Sequence, residues 1–214
     1  MSQSTACLNM IKQQLRTNNI TNENIIKLFQ NFPRENFTPA AYKQFAYSDM
    51  HITLENNQVI LTPLEEAKII QSGQFVGTEK VLLIGSSNIY LTTLLSQNLQ
   101  NITVVDTCAD SIVAGKKLLS QNKIDNVEFI LQDSYSLENL DKDFDAIIVT
   151  CALESLPQNW LKNLKSQAKI FAPLGETVQN AQWFYIQNQK VTGHEFIFST
   201  HLPPLIETKN KFIF

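Results

Sequence analysis

The residues best placed to do chemistry are one glycine, two acids and a handful of hydroxyls. Gly85 closes an apolar run of residues 80–84 and opens the turn Ser86-Ser87-Asn88-Ile89-Tyr90. A second β-branched run, residues 102–105, ends in Asp106, about 20 residues past that glycine, the interval of a nucleotide-binding βαβ unit. A glycine at the tip of a first strand permits positive φ or close approach of a ligand to the backbone. An acid at the tip of the second can accept hydrogen bonds from both hydroxyls of a ribose. Its alternative roles are a helix cap or a surface charge. The turn departs from the usual pattern by carrying one glycine where such units carry three. Asp133, in Gln132-Asp133-Ser134, is a further candidate whose bland alternative is a turn residue bonding its own backbone.

Other reactive side chains are less suggestive. His51, His194 and His201 are isolated and read as polar loop or strand residues. Three cysteines, Cys7, Cys108 and Cys151, are odd in number and far apart, which predicts a reduced cytoplasmic protein without a disulfide frame or zinc site. Cys151 follows a strand tip, and with no histidine paired to it in sequence it reads as a buried thiol. Net charge is −3 with no basic cluster, which argues against nucleic acid as the main partner. No apolar stretch approaches the roughly 18 residues of a membrane span. The first seven residues have neither the basic nor the apolar region of a signal peptide. Trp183, Phe184 and the Phe-rich tail are expected in the core, without the basic residues of a base-stacking platform.

These residues need a scaffold, and the patterning supplies one. Residues 5–16 read as a short helix with Leu8, Ile11 and Leu15 at helical spacing, and residues 21–32 as a second, capped by Thr21. Residues 46–61 lack a clear period and read as strand fragments and loop. Thr62-Pro63-Leu64-Glu65 is a strong helix start: a capping hydroxyl, proline in the first turn and an acid. Helices are predicted over residues 90–99, 110–122 and 157–164, and strands over 80–85, 102–106, 127–131, 144–150 and 168–172. Residues 183–186 and 191–199 form a predicted hairpin turning near Asn188-Gln189. Alternating strands and helices give an α/β fold, a doubly wound, mostly parallel Rossmann-like sheet with a C-terminal antiparallel hairpin and a small N-terminal helical lobe. We read residues 1–214 as a single domain, with 1–61 the lobe and acceptor-side loop and 62–214 the sheet core.

With these landmarks in order, the chain resembles the protein-L-isoaspartate O-methyltransferases. The resemblance is carried by Gln14-Leu15-Arg16, Pro33-Arg34-Glu35-Asn36-Phe37, Ala46-Tyr47 with Asp49, and Gln58 with Pro63. Further along it rests on Ile84-Gly85, Tyr90, Val105-Asp106, Asn126-Val127, residues 144–150, and Pro173 with Gly175. It implies the S-adenosylmethionine-dependent methyltransferase fold and methylation of the α-carboxyl of isoaspartyl residues in damaged proteins. Carried over by position, it implies that Gly85, Ser86, Ser87, Asp106 and Asp133 bind S-adenosylmethionine, and that Val59, Ile60 and Leu61 hold the acceptor-loop positions.

At those positions the chain departs from the family. The donor loop Glu-Ile-Gly-x-Gly-x-Gly-Tyr becomes Leu83-Ile84-Gly85-Ser86-Ser87-Asn88-Ile89-Tyr90, and both hydroxyls of the acceptor loop become aliphatic at Val59 and Leu61. The expectation is that Ser87 and Ile89 occupy donor space and that Leu61 sets the acceptor anion against hydrocarbon. Methyl transfer is then weak or lost, and the chain acts as a non-catalytic or repurposed binding protein for an unknown protein partner. The alternative is an active carboxyl methyltransferase. A dinucleotide oxidoreductase shares the βαβ unit but lacks the phosphate-binding glycines.

Overall fold

A computed structural model describes residues 4–137, 140 and 143–205. The amphipathic segments before the sheet fold as read, with shifted ends. Helix α1 spans Thr5–Met10, then widens into a π turn at Ile11–Leu15 and tightens at Arg16–Asn18. This change of pitch keeps Cys7, Met10, Ile11 and Leu15 buried together, while Leu8 is only partly buried. Helix α2, Glu23–Asn31, is capped by Asn22, whose side chain accepts from the Asn24 N–H, and not by Thr21. Asparagine is the stronger N-cap.

Residues 46–61 yield one small hairpin, β1 (Ile52–Thr53) and β2 (Val59–Ile60), paired antiparallel. The Thr62 start is a full capping box for α3, Pro63–Gly73, with reciprocal bonds between Thr62 and Glu65. The main sheet contains β3 (Lys80–Ile84), β4 (Asn101–Asp106), β5 (Val127–Leu131), β6 (Phe144–Val149), β7 (Leu164–Leu174), β8 (Gln179–Gln187) and β9 (Lys190–Thr200). Their order is β5-β4-β3-β6-β7-β8-β9, parallel through β7 and antiparallel across the last three. Helices α4 (Ile89–Ser96) and α5 (Ala109–Gln121) complete the central crossover units.

Strand β3 shows why the runs had to be apolar on every residue. Val81 and Leu83 point into one core cluster with α1–α4, whereas Leu82 and Ile84 point into the other with Trp160 and Phe144. Both faces are covered, as a parallel sheet requires. Every residue of α4 is buried, which explains its lack of a polar face. Residues 158–163 form a 3-10 helix in place of the predicted α-helix. There the indole N–H of Trp160 donates to the Ser134 carbonyl.

The C-terminal hairpin turns at Asn188-Gln189, both left-handed at φ 48° and 58°. This is the pair of positive φ angles that a two-residue hairpin of native twist demands. Trp183, Phe184 and Phe198 are buried, but Phe196 is exposed. Phe212 and Phe214, also expected in the core, lie outside the described residues. Among the described residues no helix is long and apolar enough to cross a membrane.

Candidate functional site

The sheet reverses its winding between β3 and β6, the point where ligands bind in open α/β sheets, outside the carboxyl ends of the strands. Register brings the tips level: Ile84 pairs with Val105 on one side and Val149 on the other. Gly85 follows at φ 107°, where an added Cβ would lie 2.3 Å from Thr150 Oγ1. The position therefore excludes other residues twice, by backbone and by space. Thr150 is held there by bonds from its N–H and its hydroxyl to the Ile84 carbonyl.

Above these tips lies a cavity of about 320 Å³. Its floor is Gly85, Ser87, Asp106 and Thr150, and residues 56–59 of the β1–β2 hairpin form one wall. Cys151, Ser134 and residues 203–205 form the other. That last segment is stitched to the end of β6, with Ala152 N–H donating to the Pro203 carbonyl and Leu205 N–H to the Ala152 carbonyl.

Asp106 is the best-organised group in the site. Its Oδ2 accepts from the Ser86 N–H at 2.7 Å, the Ser86 hydroxyl at 2.8 Å and Gln58 Nε2 at 2.9 Å. Its Oδ1 accepts from the Cys108 N–H at 2.8 Å and retains acceptor capacity. Gln58 is in turn oriented by Ser111, whose hydroxyl donates to Gln58 Oε1 at 2.6 Å. The structure thus brings together Gly85, Ser86, Ser87, Asp106 and Val59. Asp133 is not among the cavity-lining residues; its Oδ1 accepts from the Tyr135 N–H at 2.9 Å, the local turn bond, and its neighbour Ser134 faces the cavity instead.

The expected obstruction by Ile89 does not occur. Its side chain is buried and reaches toward α5, with Cδ1 3.2 Å from where a Cβ on Gly115 would stand. Ile89 begins α4, and the helix direction turns it into the core. Leu61 and Ile60 are likewise buried and do not line the cavity, so Leu61 does not offer hydrocarbon to a bound anion there. Only Val59 of the three acceptor-loop residues faces it.

Sequence reasoning missed the residues that hold the hairpin in place. Arg34 is fully buried and its guanidinium bonds Glu66, the Ala46 carbonyl and the Leu61 carbonyl. Burial pushes the Glu66 carboxyl up to about 7 against the pull of that guanidinium. From the other side, Asn88 Oδ1 accepts from the Leu61 N–H at 2.8 Å and Asn88 Nδ2 donates to the Val59 carbonyl at 3.1 Å. Arg34 stood among the landmarks as a sequence match only. His51, expected to be isolated, lies 2.7 Å from Glu65, which also accepts from the Thr200 hydroxyl.

The two thiols near the cavity differ. Burial, reinforced by the charge on Asp106, pushes Cys151 up to about 12, so it is a neutral thiol in the cavity wall. For Cys108 burial acts upward, but hydrogen bonds from Ser111 and Asn56 outweigh it and bring the thiol below its ordinary value. Among the described residues no group of three or more metal-ligating side chains occurs.

Comparison with known proteins agrees with this architecture. The Plasmodium falciparum structure assigned as a protein-L-isoaspartate O-methyltransferase, in complex with S-adenosyl-L-homocysteine, superposes with a TM-score of 0.77, covering 96% of this chain and 99% of that one at 17% identity. The Aliivibrio fischeri (strain MJ11) protein-L-isoaspartate O-methyltransferase is 31% identical over 197 residues, 92% of this chain and 94% of its own length. The corresponding Serratia proteamaculans protein is 28% identical over 187 residues, 87% of this chain and 88% of its own. The family model for protein-L-isoaspartate(D-aspartate) O-methyltransferase matches residues 6–206, and the chain belongs to that family.

Proposed function

We propose that the chain is an S-adenosylmethionine-dependent carboxyl methyltransferase acting on isoaspartyl residues of proteins or peptides. The observation that carries this reading is the open cavity at the switch point, with an organised carboxylate at the tip of β4 and a glycine, Gly85, at the tip of β3. The residues fit a nucleoside: Asp106 Oδ1 has acceptor capacity for a ribose hydroxyl, and Val59, Pro203 and Leu205 offer apolar surface. When bound, S-adenosylmethionine supplies a methyl carbon made electrophilic by its sulfonium.

The chain's own contribution is binding, orientation and exclusion of water. A carboxylate acceptor with a pKa of about 4 is ionised at neutral pH, so the site needs no general base. This suits a cavity whose histidines lie elsewhere and whose thiol Cys151 stays protonated. In this reading the residues before Thr62 cover the acceptor side, and those from Thr62 onward form the donor-binding core.

A second reading, ligand binding without transfer, is favoured by one observation: the acceptor-loop residue facing the cavity is Val59, which carries no hydroxyl. Two measurements separate the readings. Calorimetry with S-adenosylhomocysteine should show binding, and at about a hundred times the dissociation constant the ligand should stabilise the fold by about 2.7 kcal/mol. Methyl transfer to an isoaspartyl peptide should exceed that to the aspartyl peptide. Binding without turnover would favour the second reading, and no binding at millimolar ligand would end both.

A further inference from the structure

The cavity is bounded by a donor turn that grows out of the sheet and by a hairpin wall that does not. The hairpin has only two residue pairs, Ile52 with Ile60 and Thr53 with Val59, too few to hold a strand in place by themselves. Between turn and wall lies one side chain with both polar ends engaged. Asn88 is fully buried; its Oδ1 takes the Leu61 N–H and its Nδ2 gives to the Val59 carbonyl. The Ser87 hydroxyl adds a parallel bond to the same carbonyl at 3.2 Å.

Asn88 is itself immobilised. It is the residue before α4, and its carbonyl accepts from both the N–H and the hydroxyl of Thr92 at 3.0 Å. A carboxamide suits this place because one planar group presents an acceptor and a donor, matching the N–H and C=O of the facing strand. A displacement reaction needs its reacting atoms about 3–3.5 Å apart, and a misplacement of about 1 Å can cost about 100-fold in rate.

We propose that Asn88 is a positioning residue for methyl transfer, a strut that sets the distance between the donor turn and the acceptor wall at Val59. This rests on the functional reading above and assigns to it the element that registers its two half-sites. Arg34 secures the same strand to α3 and the N-terminal segment, but Asn88 alone among the described side chains bonds it at both Val59 and Leu61 from the donor turn.

The test is Asn88→Ser, whose hydroxyl is too short to span both groups; Asn88 makes no side-chain cap bond to α4, so the substitution removes none. With an isoaspartyl peptide, kcat should fall by about 10–100-fold, while the dissociation constant for S-adenosylhomocysteine changes far less. The Leu61 amide, bonded to Asn88 Oδ1 in the wild-type chain, should exchange with solvent faster while the α4 amides stay protected. Asn88→Asp, which retains the acceptor for Leu61, should recover part of that protection. Equal losses in kcat and donor affinity would mark a merely structural role and overturn the proposal, as would an unchanged kcat or a Leu61 amide still protected in Asn88→Ser. Should the variants not fold, slow exchange of Leu61 relative to its neighbours in the wild-type chain supports the strut, and fast exchange overturns it. A wild-type chain that transfers no methyl group fails the functional reading and this inference together. An active wild type with an equally active Asn88→Ser fails this inference alone.

Discussion

The floor and the hairpin wall of the cavity are built by different means. Gly85, Asp106 and Thr150 stand where strand register puts them, and each is fixed by backbone bonds within three residues of a strand tip. The wall hangs on side-chain bonds to distant parts of the chain: Arg34 reaches it from before the hairpin, Asn88 from the turn before α4, and its own Gln58 reaches across to Asp106. The floor therefore shares the stability of the whole sheet. The wall can be loosened one side chain at a time.

The contrast is best broken at Arg34. Arg34→Met removes one partner of a buried ion pair and should cost about 3–5 kcal/mol in denaturant unfolding. The loss should be smaller at pH 5 than at pH 8, because the abandoned Glu66 can then take a proton. On the floor, Gly85→Ala combines a disfavoured backbone angle with a Cβ against Thr150, and should cost about 2–4 kcal/mol and most of the S-adenosylhomocysteine affinity. A melt accompanied by full ligand affinity would show that the floor does not depend on that glycine.

Smaller effects sharpen the comparison at α3, which links the two regions. Thr62→Ala removes half of the capping box and should cost about 1 kcal/mol. Burial acts upward on Glu65, but bonds from His51, Thr200 and the Thr62 N–H outweigh it and hold its carboxyl below the usual value. A carboxyl lowered in the folded state stabilises fully above its unfolded value of about 4.3 and loses that contribution as pH falls through the folded one. The difference in melting temperature between wild type and Glu65→Gln should accordingly narrow below about pH 4. Far from both regions, Gln189→Gly relieves a left-handed residue in the last turn and should stabilise by about 1 kcal/mol.

What could be read from the sequence follows the same division. Strands β3, β4 and β6, the Thr62 start and the Asn188-Gln189 turn were legible because each rests on local pattern: unbroken apolar runs, a capping motif, a two-residue loop. Gly85 and Asp106 came with them, being the ends of such runs. Ile89 was misjudged because its neighbourhood was taken from the turn, whereas the helix it begins decides its direction. Leu61 was misjudged for a similar reason, since its backbone serves the wall while its side chain belongs to the core. Arg34 with Glu66 and Asn88 with Val59 join positions 32 and 29 apart, and no local periodicity announces such partners.

The unlike thiols give the site a chemical reporter. At neutral pH an alkylating reagent reacts with thiolate, so Cys108, partly exposed and shifted downward, should be labelled ahead of Cys151 and the buried Cys7. Because Cys108 adjoins the Asp106 carboxylate through its own N–H, its labelling rate offers a way to follow occupancy of the cavity without engineering a probe into the chain.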